Sequence, residues 1–113
     1  MTDEQESRAA LMAALLERLP SDPKLGLATM FRSPAISWGG TVVAFAGRRR
    51  RVIVKLTLGR AAELIDAGRA EPVTMGRRTM REWAAIPAVG AGEEAIEAWL
   101  PYVAEGVANA QPH

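Results

Sequence analysis

Apolar residues recur along this chain with two different periods, and the change of period separates helical from extended segments. Between residues 3 and 19 the apolar positions, among them Leu11, Leu15 and Leu19, repeat every three to four residues. That spacing places them on one face of a helix, so it predicts an N-terminal helix. Pro20 ends the helix because proline cannot continue its hydrogen bonding.

Two further segments have the helical period. The first covers residues 58 to about 67, with Thr57 as its N-terminal cap and Gly68 as its C-terminal stop. The second covers about residues 93 to 109 and contains Pro101. A proline inside a helix removes one hydrogen bond, so this helix either kinks near Glu97 or begins near Ala98.

The middle of the chain has the extended period. Residues 28–31 and 35–38 form either one strand interrupted at Ser33-Pro34 or two short strands. Proline cannot donate to a sheet ladder, which predicts an edge position or a bulge there. Gly39-Gly40 then predicts a two-residue hairpin, because glycine readily adopts positive φ. Strands over residues 41–46 and 52–56 complete a three-strand meander.

A pair of strands follows the second helix, over residues 71–75 and 80–86, with a turn between them. We therefore predict an α+β fold: an antiparallel sheet of about five strands, made of the meander and this pair, with N-terminal, middle and C-terminal helices. At 113 residues the chain has the size of a single domain, 1–113, in which we expect residues 110–113 to be a loose tail.

The composition is that of an ordinary globular domain, with 49% hydrophobic and 24% charged residues and no cysteine. Disulfides and thiolate metal sites are thereby excluded. The sequence contains no apolar run long enough to span a membrane, and its acidic beginning is unlike a secretory signal. We expect a cytoplasmic protein with no membrane partner.

Basic residues are concentrated in the middle of the chain. From residue 24 to 82 there are 12 basic and 4 acidic residues, whereas the whole chain has a net charge of only +1. The imbalance predicts either a surface that faces anions or a sheet whose charge the acidic helices neutralise within the folded domain.

A run of four arginines at the turn between two predicted strands is the sharpest functional candidate. Guanidinium groups at a hairpin tip can bind phosphates, and two more arginines at a later turn extend such a surface. The predicted nucleic-acid contacts are Arg48, Arg49, Arg50, Arg51, Arg77 and Arg78. The alternative is a solvated turn that serves solubility. No aromatic residue interleaves the arginines, so the sequence does not predict a platform for single strands.

Three tryptophans, Trp38, Trp83 and Trp99, fall on the first predicted strand, the last strand and the final helix. We interpret them as core residues that join the sheet to the helices. The alternative is a pocket for a ligand or partner, lined by Trp38, Arg81 and Trp83.

The sequence contains few residues that could act in catalysis. The one histidine is His113 at the end of the chain, and neither Ser33 nor Ser37 has a base nearby in the sequence to activate it. The acidic residues at the start of the last helix are typical of helix-dipole stabilisation rather than metal binding, and no phosphate loop is present. We predict no enzyme activity, no cofactor and no metal.

Several short motifs, in order and spacing, resemble the TfoX N-terminal domain family over roughly residues 28 to 108. They are Met30-Phe31, Gly40-Thr41-Val42-Val43-Ala44-Phe45, Val54-Lys55-Leu56, Gly68 with Glu71-Pro72, Met80-Arg81-Glu82-Trp83, and Trp99-Leu100-Pro101-Tyr102-Val103. Arg32-Ser33 replaces the usual Gly-Gly of the family. The resemblance implies an α+β fold related to the bacterial YjbR group, whose hairpins have prompted suggestions of DNA binding.

The predicted function is a non-enzymatic binding or regulatory domain that contacts nucleic-acid phosphates through the arginine-rich tip, with DNA or a regulatory protein as its partner. Two alternatives stay open at this point. One is a homodimer or other homo-oligomer formed through a sheet edge, and the other is a small-ligand domain with its pocket near Trp83.

Overall fold

The computed structural model describes the backbone of residues 2–112 and the side chains of residues 6–112. Three α-helices and six β-strands make up this part of the chain, which confirms the α+β class. In chain order they are α1 (Thr2–Arg18), β1 (Leu25–Met30), β2 (Ser33–Trp38), β3 (Thr41–Ala46), β4 (Arg51–Lys55), α2 (Leu58–Asp66), β5 (Glu71–Met75), β6 (Arg78–Pro87) and α3 (Glu93–Ala110).

All six strands form one antiparallel sheet in the order β1-β2-β3-β4-β6-β5. The first four strands are a continuous meander, β6 pairs with β4, and β5 forms the far edge. The sheet has one strand more than the predicted five or so, because the residues before and after Phe31-Arg32 form two separate strands rather than one interrupted strand.

Pro34 lies in β2, which is an interior strand and not the predicted edge. The ladder between β2 and β3 begins at Ala35, paired with Phe45, so the missing N–H of Pro34 leaves no gap in that ladder. The ladder between β2 and β3 does contain a register shift, but it lies between Ile36 and Ser37 and not at the predicted Ser33-Pro34.

The three helices pack on one face of the sheet. Their buried residues, such as Leu15 of α1, Leu64 of α2 and Val103 of α3, belong to one large apolar cluster with inward-facing strand residues. Gly106 brings α3 close to the strands, since a Cβ there would lie 3.1 Å from the carbonyl oxygen of Val43. Backbone contact at this distance fixes how deeply the helix sits.

Helix α3 runs unbroken from Glu93 to Ala110 with Pro101 inside it, so the predicted later start near Ala98 is wrong. Glu97 and Pro101 are both exposed. The hydrogen bond that proline removes therefore lies on the solvent side of the helix, where the carbonyl of Glu97 is accessible to water.

The end of the chain is more ordered than the predicted tail. Ala110 is the last residue of α3, and the backbone N–H of Gln111 donates to the carbonyl of Val107 at 3.2 Å. His113 lies outside the described residues.

The opposite face of the sheet carries a smaller apolar cluster that contains no helical residue. Its buried members are Ala35, Phe45, Ile53, Val73, Trp83 and Ala85. Strict alternation along β6 would put Met80 on the helix side together with Ala84 and Ile86. Met80 instead packs against the cluster on the opposite face. The register between β5 and β6 shifts between Pro72 and Thr74, and such a shift reverses which face a side chain takes.

Within residues 2–112, none of the helices combines the length and apolar character that crossing a membrane requires.

Candidate nucleic-acid interface

The arginine run forms the turn between β3 and β4, as predicted. The N–H of Gly47 donates to the carbonyl of Arg51 at 2.8 Å and closes the turn. Arg48, Arg49 and Arg50 are exposed, and Arg51 is the first residue of β4. The four guanidinium groups therefore start from a single hairpin end.

Two of these arginines are held by the rest of the domain. Arg51 forms an ion pair and hydrogen bond with Glu71, the first residue of β5, which reaches across β6. Arg50 donates to the carbonyl oxygen of Gly90 at 2.8 Å. By contrast, the side chains of Arg48 and Arg49 make no hydrogen bond to any residue between 6 and 112.

The ion pair between Arg51 and Glu71 also shifts the pKa of both side chains. The hydrogen bond from Arg51 lowers the pKa of the Glu71 carboxyl below its ordinary value, and the same bond raises the pKa of Arg51. Glu71 is ionised at neutral pH, as an ordinary glutamate is, and its charge opposes that of Arg51.

The tertiary structure brings two further arginines to this turn. Arg8 of α1 and Arg32 of the turn between β1 and β2 line the same groove as Arg48, Arg49 and Arg51. We call Arg8, Arg32 and Arg48–Arg51 together the arginine end. Sequence reasoning missed Arg8 and Arg32, although Arg32 stands where the resembled family has glycine.

The groove that these arginines line has a volume of about 800 Å³ and lies on the helix-free face of the sheet. We call it the sheet groove. Its floor includes Phe45 and Ile53, and its far wall is β5 with Gly76. Since β5 and the first hairpin stand near opposite edges of the sheet and still line one groove, the sheet must be curled. Five arginines and one glutamate line it, so it is strongly basic.

A row of three aromatic rings runs from the groove into the sheet. Phe31 meets Phe45 edge-to-face with ring centroids 5.8 Å apart, and Phe45 meets Trp83 in the same way at 5.4 Å. Phe45 and Trp83 are 3% and 7% exposed, whereas Phe31 is 55% exposed. The outermost ring of the row therefore faces solvent beside the arginines.

Backbone strain is concentrated at the same place. Four non-glycine residues among those described have positive φ: Phe31 at 51°, Arg32 at 65°, Arg49 at 56° and Arg50 at 57°. All four lie in the two turns of the arginine end. This conformation costs an L-residue roughly 1–2 kcal/mol, and such strain is typical of functional sites.

Arg77 and Arg78, the other predicted phosphate contacts, are exposed at the turn between β5 and β6. Gly76, which directly precedes them, lines the sheet groove. Arg77 and Arg78 themselves do not line the groove, so the structure does not bring them together with the arginine end.

The alternative pocket of Trp38, Arg81 and Trp83 is not assembled by the fold. Trp38 packs with the helix-side cluster and Trp83 belongs to the cluster on the other face. Arg81 is exposed on β6. The interpretation of Trp83 as a residue that joins sheet to helix is also wrong, while Trp99 does so by donating its indole N–H to the carbonyl of Ile86 at 2.8 Å.

Trp38 has a local structural role instead. Its indole N–H donates to Asp22 at 2.9 Å, and the ammonium group of Lys24 lies 4.9 Å from its ring centroid. The hydrogen bond from Trp38, together with the backbone N–H of Lys24, lowers the pKa of Asp22. These contacts fasten the loop after α1 to the end of β2.

A second groove, of about 820 Å³, lies on the helix side between α1 and α3. It is lined mainly by small and apolar residues such as Leu11, Ala14 and Ile96. Four arginines also line it: Arg8, Arg49, Arg50 and Arg51. The arginine turn consequently stands between two grooves, and the sheet groove has one arginine more and also contains Glu71.

In the described part of the chain, no three histidine, cysteine or acidic residues come together in a way that could hold a metal ion.

Comparisons with models of known protein families, with curated proteins and with solved structures each found no significant match. The resemblance to the TfoX N-terminal domain family therefore stays a prediction.

Proposed function

We propose that this domain binds nucleic acid, and that its arginine end contacts the phosphates. The observation that carries the proposal is the convergence of arginines from three separate elements, α1 and two hairpin turns, on one end of the sheet. Guanidinium groups bind phosphate oxygens with paired, charge-assisted hydrogen bonds.

The arrangement supports binding because part of it is preorganised. Arg50 and Arg51 fasten the turn to Gly90 and Glu71, while the side chains of Arg48 and Arg49 project from it without a hydrogen bond to any of residues 6–112. A turn that is already held in place loses less conformational entropy when its free side chains bind. Phosphate contacts of this kind give affinity and position more than sequence choice.

The proposed role is binding or regulation without catalysis, in the cytoplasmic location that the sequence predicts. The resemblance to the TfoX N-terminal domain family favours the same role, since hairpins of that fold have prompted suggestions of DNA binding. A regulatory protein as partner, a homodimer and a small ligand stay predictions.

Titration of a fluorescent DNA by anisotropy at several salt concentrations tests the proposal. Phosphate contacts release counterions, so affinity should fall steeply between about 50 and 200 mM salt. The double variant Arg48→Ala/Arg49→Ala should bind more weakly, and the slope of log affinity against log salt should decrease by about 2.

The matched control is Lys24→Ala/Lys55→Ala, which removes the same charge near the opposite end of the sheet. Lys24 accepts a hydrogen bond from Gly39 there, and Lys55 lines a hollow with Thr41. This variant should retain most of the affinity. If both double variants lose affinity equally, or if the unaltered domain binds no DNA at low salt, the proposal is wrong.

A further inference from the structure

Phe31 has two properties that folding alone does not explain. A bulky residue is unfavourable at positive φ, yet Phe31 has φ 51°. A phenyl ring is also unfavourable in water, yet Phe31 is 55% exposed. A glycine at this position would avoid the steric strain and the exposed apolar area, and a flat ligand packed on the ring would remove the second of these costs.

The surroundings of the ring define the chemistry of that ligand. Phe31 lines the sheet groove together with Arg32, Arg48 and Arg49, so an apolar flat surface and several cations face one space. The edge-to-face contact with Phe45 supports the ring from the sheet side. An aromatic ring beside arginines fits a ligand with a flat heterocycle and a nearby phosphate, which describes a nucleotide.

We propose that the sheet groove binds unpaired nucleotides of single-stranded nucleic acid, with a base stacked on Phe31 and adjacent phosphates against Arg48 and Arg49. The inference rests on the proposed function and narrows it from nucleic acid in general to single strands. In a duplex, base faces are stacked on one another and are closed to a protein ring, whereas an unpaired base has a free face.

The sequence does not predict a platform for single strands, because no aromatic residue interleaves the arginines along the chain. The fold supplies the aromatic residue from a different hairpin. The β1–β2 turn lies beside the end of β3 because Ala35, near the start of β2, pairs with Phe45, near the end of β3. Phe31 is thereby brought to the turn that carries the arginines.

The experiment compares Phe31→Ala with the unaltered domain on three labelled probes of about 10 nucleotides, a length within the usual site sizes. The probes are a thymidine strand, a uridine strand and a DNA duplex. Phe31→Ala should weaken binding of single strands by about 5- to 150-fold, as the loss of one base-stacking contact does. Duplex affinity and the salt slope should stay unchanged, because the arginines remain.

Phe31→Trp is the conservative variant and should retain single-strand affinity, while Phe31→Leu should lose it although it keeps apolar character. Thermal unfolding of each variant checks that the domain is folded. If the single strands bind normally to Phe31→Ala, or if the duplex loses as much affinity as the single strands, the stacking proposal is overturned while phosphate binding stands. If no probe binds at low salt, both proposals fall.

Discussion

Two hairpin turns of this sheet have positive φ angles at both of their residues but consist of very different amino acids. The β2–β3 turn is Gly39-Gly40, with φ of 57° and 85°, and the β1–β2 turn is Phe31-Arg32, with φ of 51° and 65°. Each turn connects its strands through two residues. Glycine adopts these angles without a steric penalty, whereas phenylalanine and arginine do not.

The residues of the first turn suit its backbone conformation, whereas the fold only tolerates Phe31 and Arg32 in the second. The glycine turn closes the sheet at the lowest conformational cost. The Phe31-Arg32 turn closes it at a higher cost and in exchange directs an exposed ring and a cation into the sheet groove. Strain that is confined to one end of a sheet is a reason to look for function at that end.

The largest expected effect comes from moving the strained residues to the relaxed turn. The variant Gly39→Phe/Gly40→Arg should lower the free energy of unfolding by about 2 kcal/mol, because each left-handed residue costs roughly 1–2 kcal/mol and the stiffer unfolded chain offsets about 0.4–1 kcal/mol per glycine. Sterics should add little, since a Cβ at Gly40 would meet nothing within 4 Å. Urea denaturation measures the change.

Gly26→Ala in β1 is the control for that swap. A Cβ there also meets nothing within 4 Å, but Gly26 does not have positive φ. It should leave stability unchanged or raise it slightly. Equal destabilisation by the control and the swap would refute the explanation by backbone strain.

A smaller effect of opposite sign is expected at the other strained turn. Arg49→Gly should raise the free energy of unfolding by about 0.5 kcal/mol, because the relief of the left-handed penalty slightly exceeds the added entropy of the unfolded chain. The same variant should bind DNA more weakly, since it removes a cation. Denaturation and anisotropy on one preparation check both parts.

Arg77→Gly is the matched control, because Arg77 is an exposed turn arginine and is not among the described residues with positive φ. Arg77→Gly should not raise the free energy of unfolding. If Arg49→Gly and Arg77→Gly change stability alike, the strain at Arg49 does not matter energetically.

The smallest expected effect is on the pH dependence of stability. Arg51 lowers the pKa of Glu71 from the ordinary glutamate value of 4.5, so the pair stabilises the fold above that value. That stability should be lost as the pH falls through the lowered pKa of the folded state. Denaturation from pH 7 to pH 3 should therefore show a weaker pH dependence for Glu71→Gln. Identical curves for both proteins would mean that the pair contributes nothing measurable.

Local pattern sufficed for most of the secondary structure. Thr57 accepts from the N–H of Arg60 and caps α2, and Gly68 at φ 76° ends it, as residue type predicts. The Gly39-Gly40 hairpin and the arginine turn also lie where the sequence places them. Caps, turns and alternation depend on residues within a few positions of one another, so a single sequence contains them.

The composition of the candidate site depended on contacts between distant segments. Which strands become neighbours, how far the sheet curls and where a register shifts are decided by packing of the whole chain. For that reason Trp38 and Trp83 lie on opposite faces, although the sequence grouped them, and Met80 faces the helix-free side.

The sequence by itself determined an antiparallel α+β domain that holds four arginines at one hairpin turn. Only the tertiary structure decided that Arg8, Arg32 and the exposed residue Phe31 join three of those arginines around one groove. The physical reason is that strand pairing sets two hairpin turns side by side, and the curl of the sheet then brings β5 to face them.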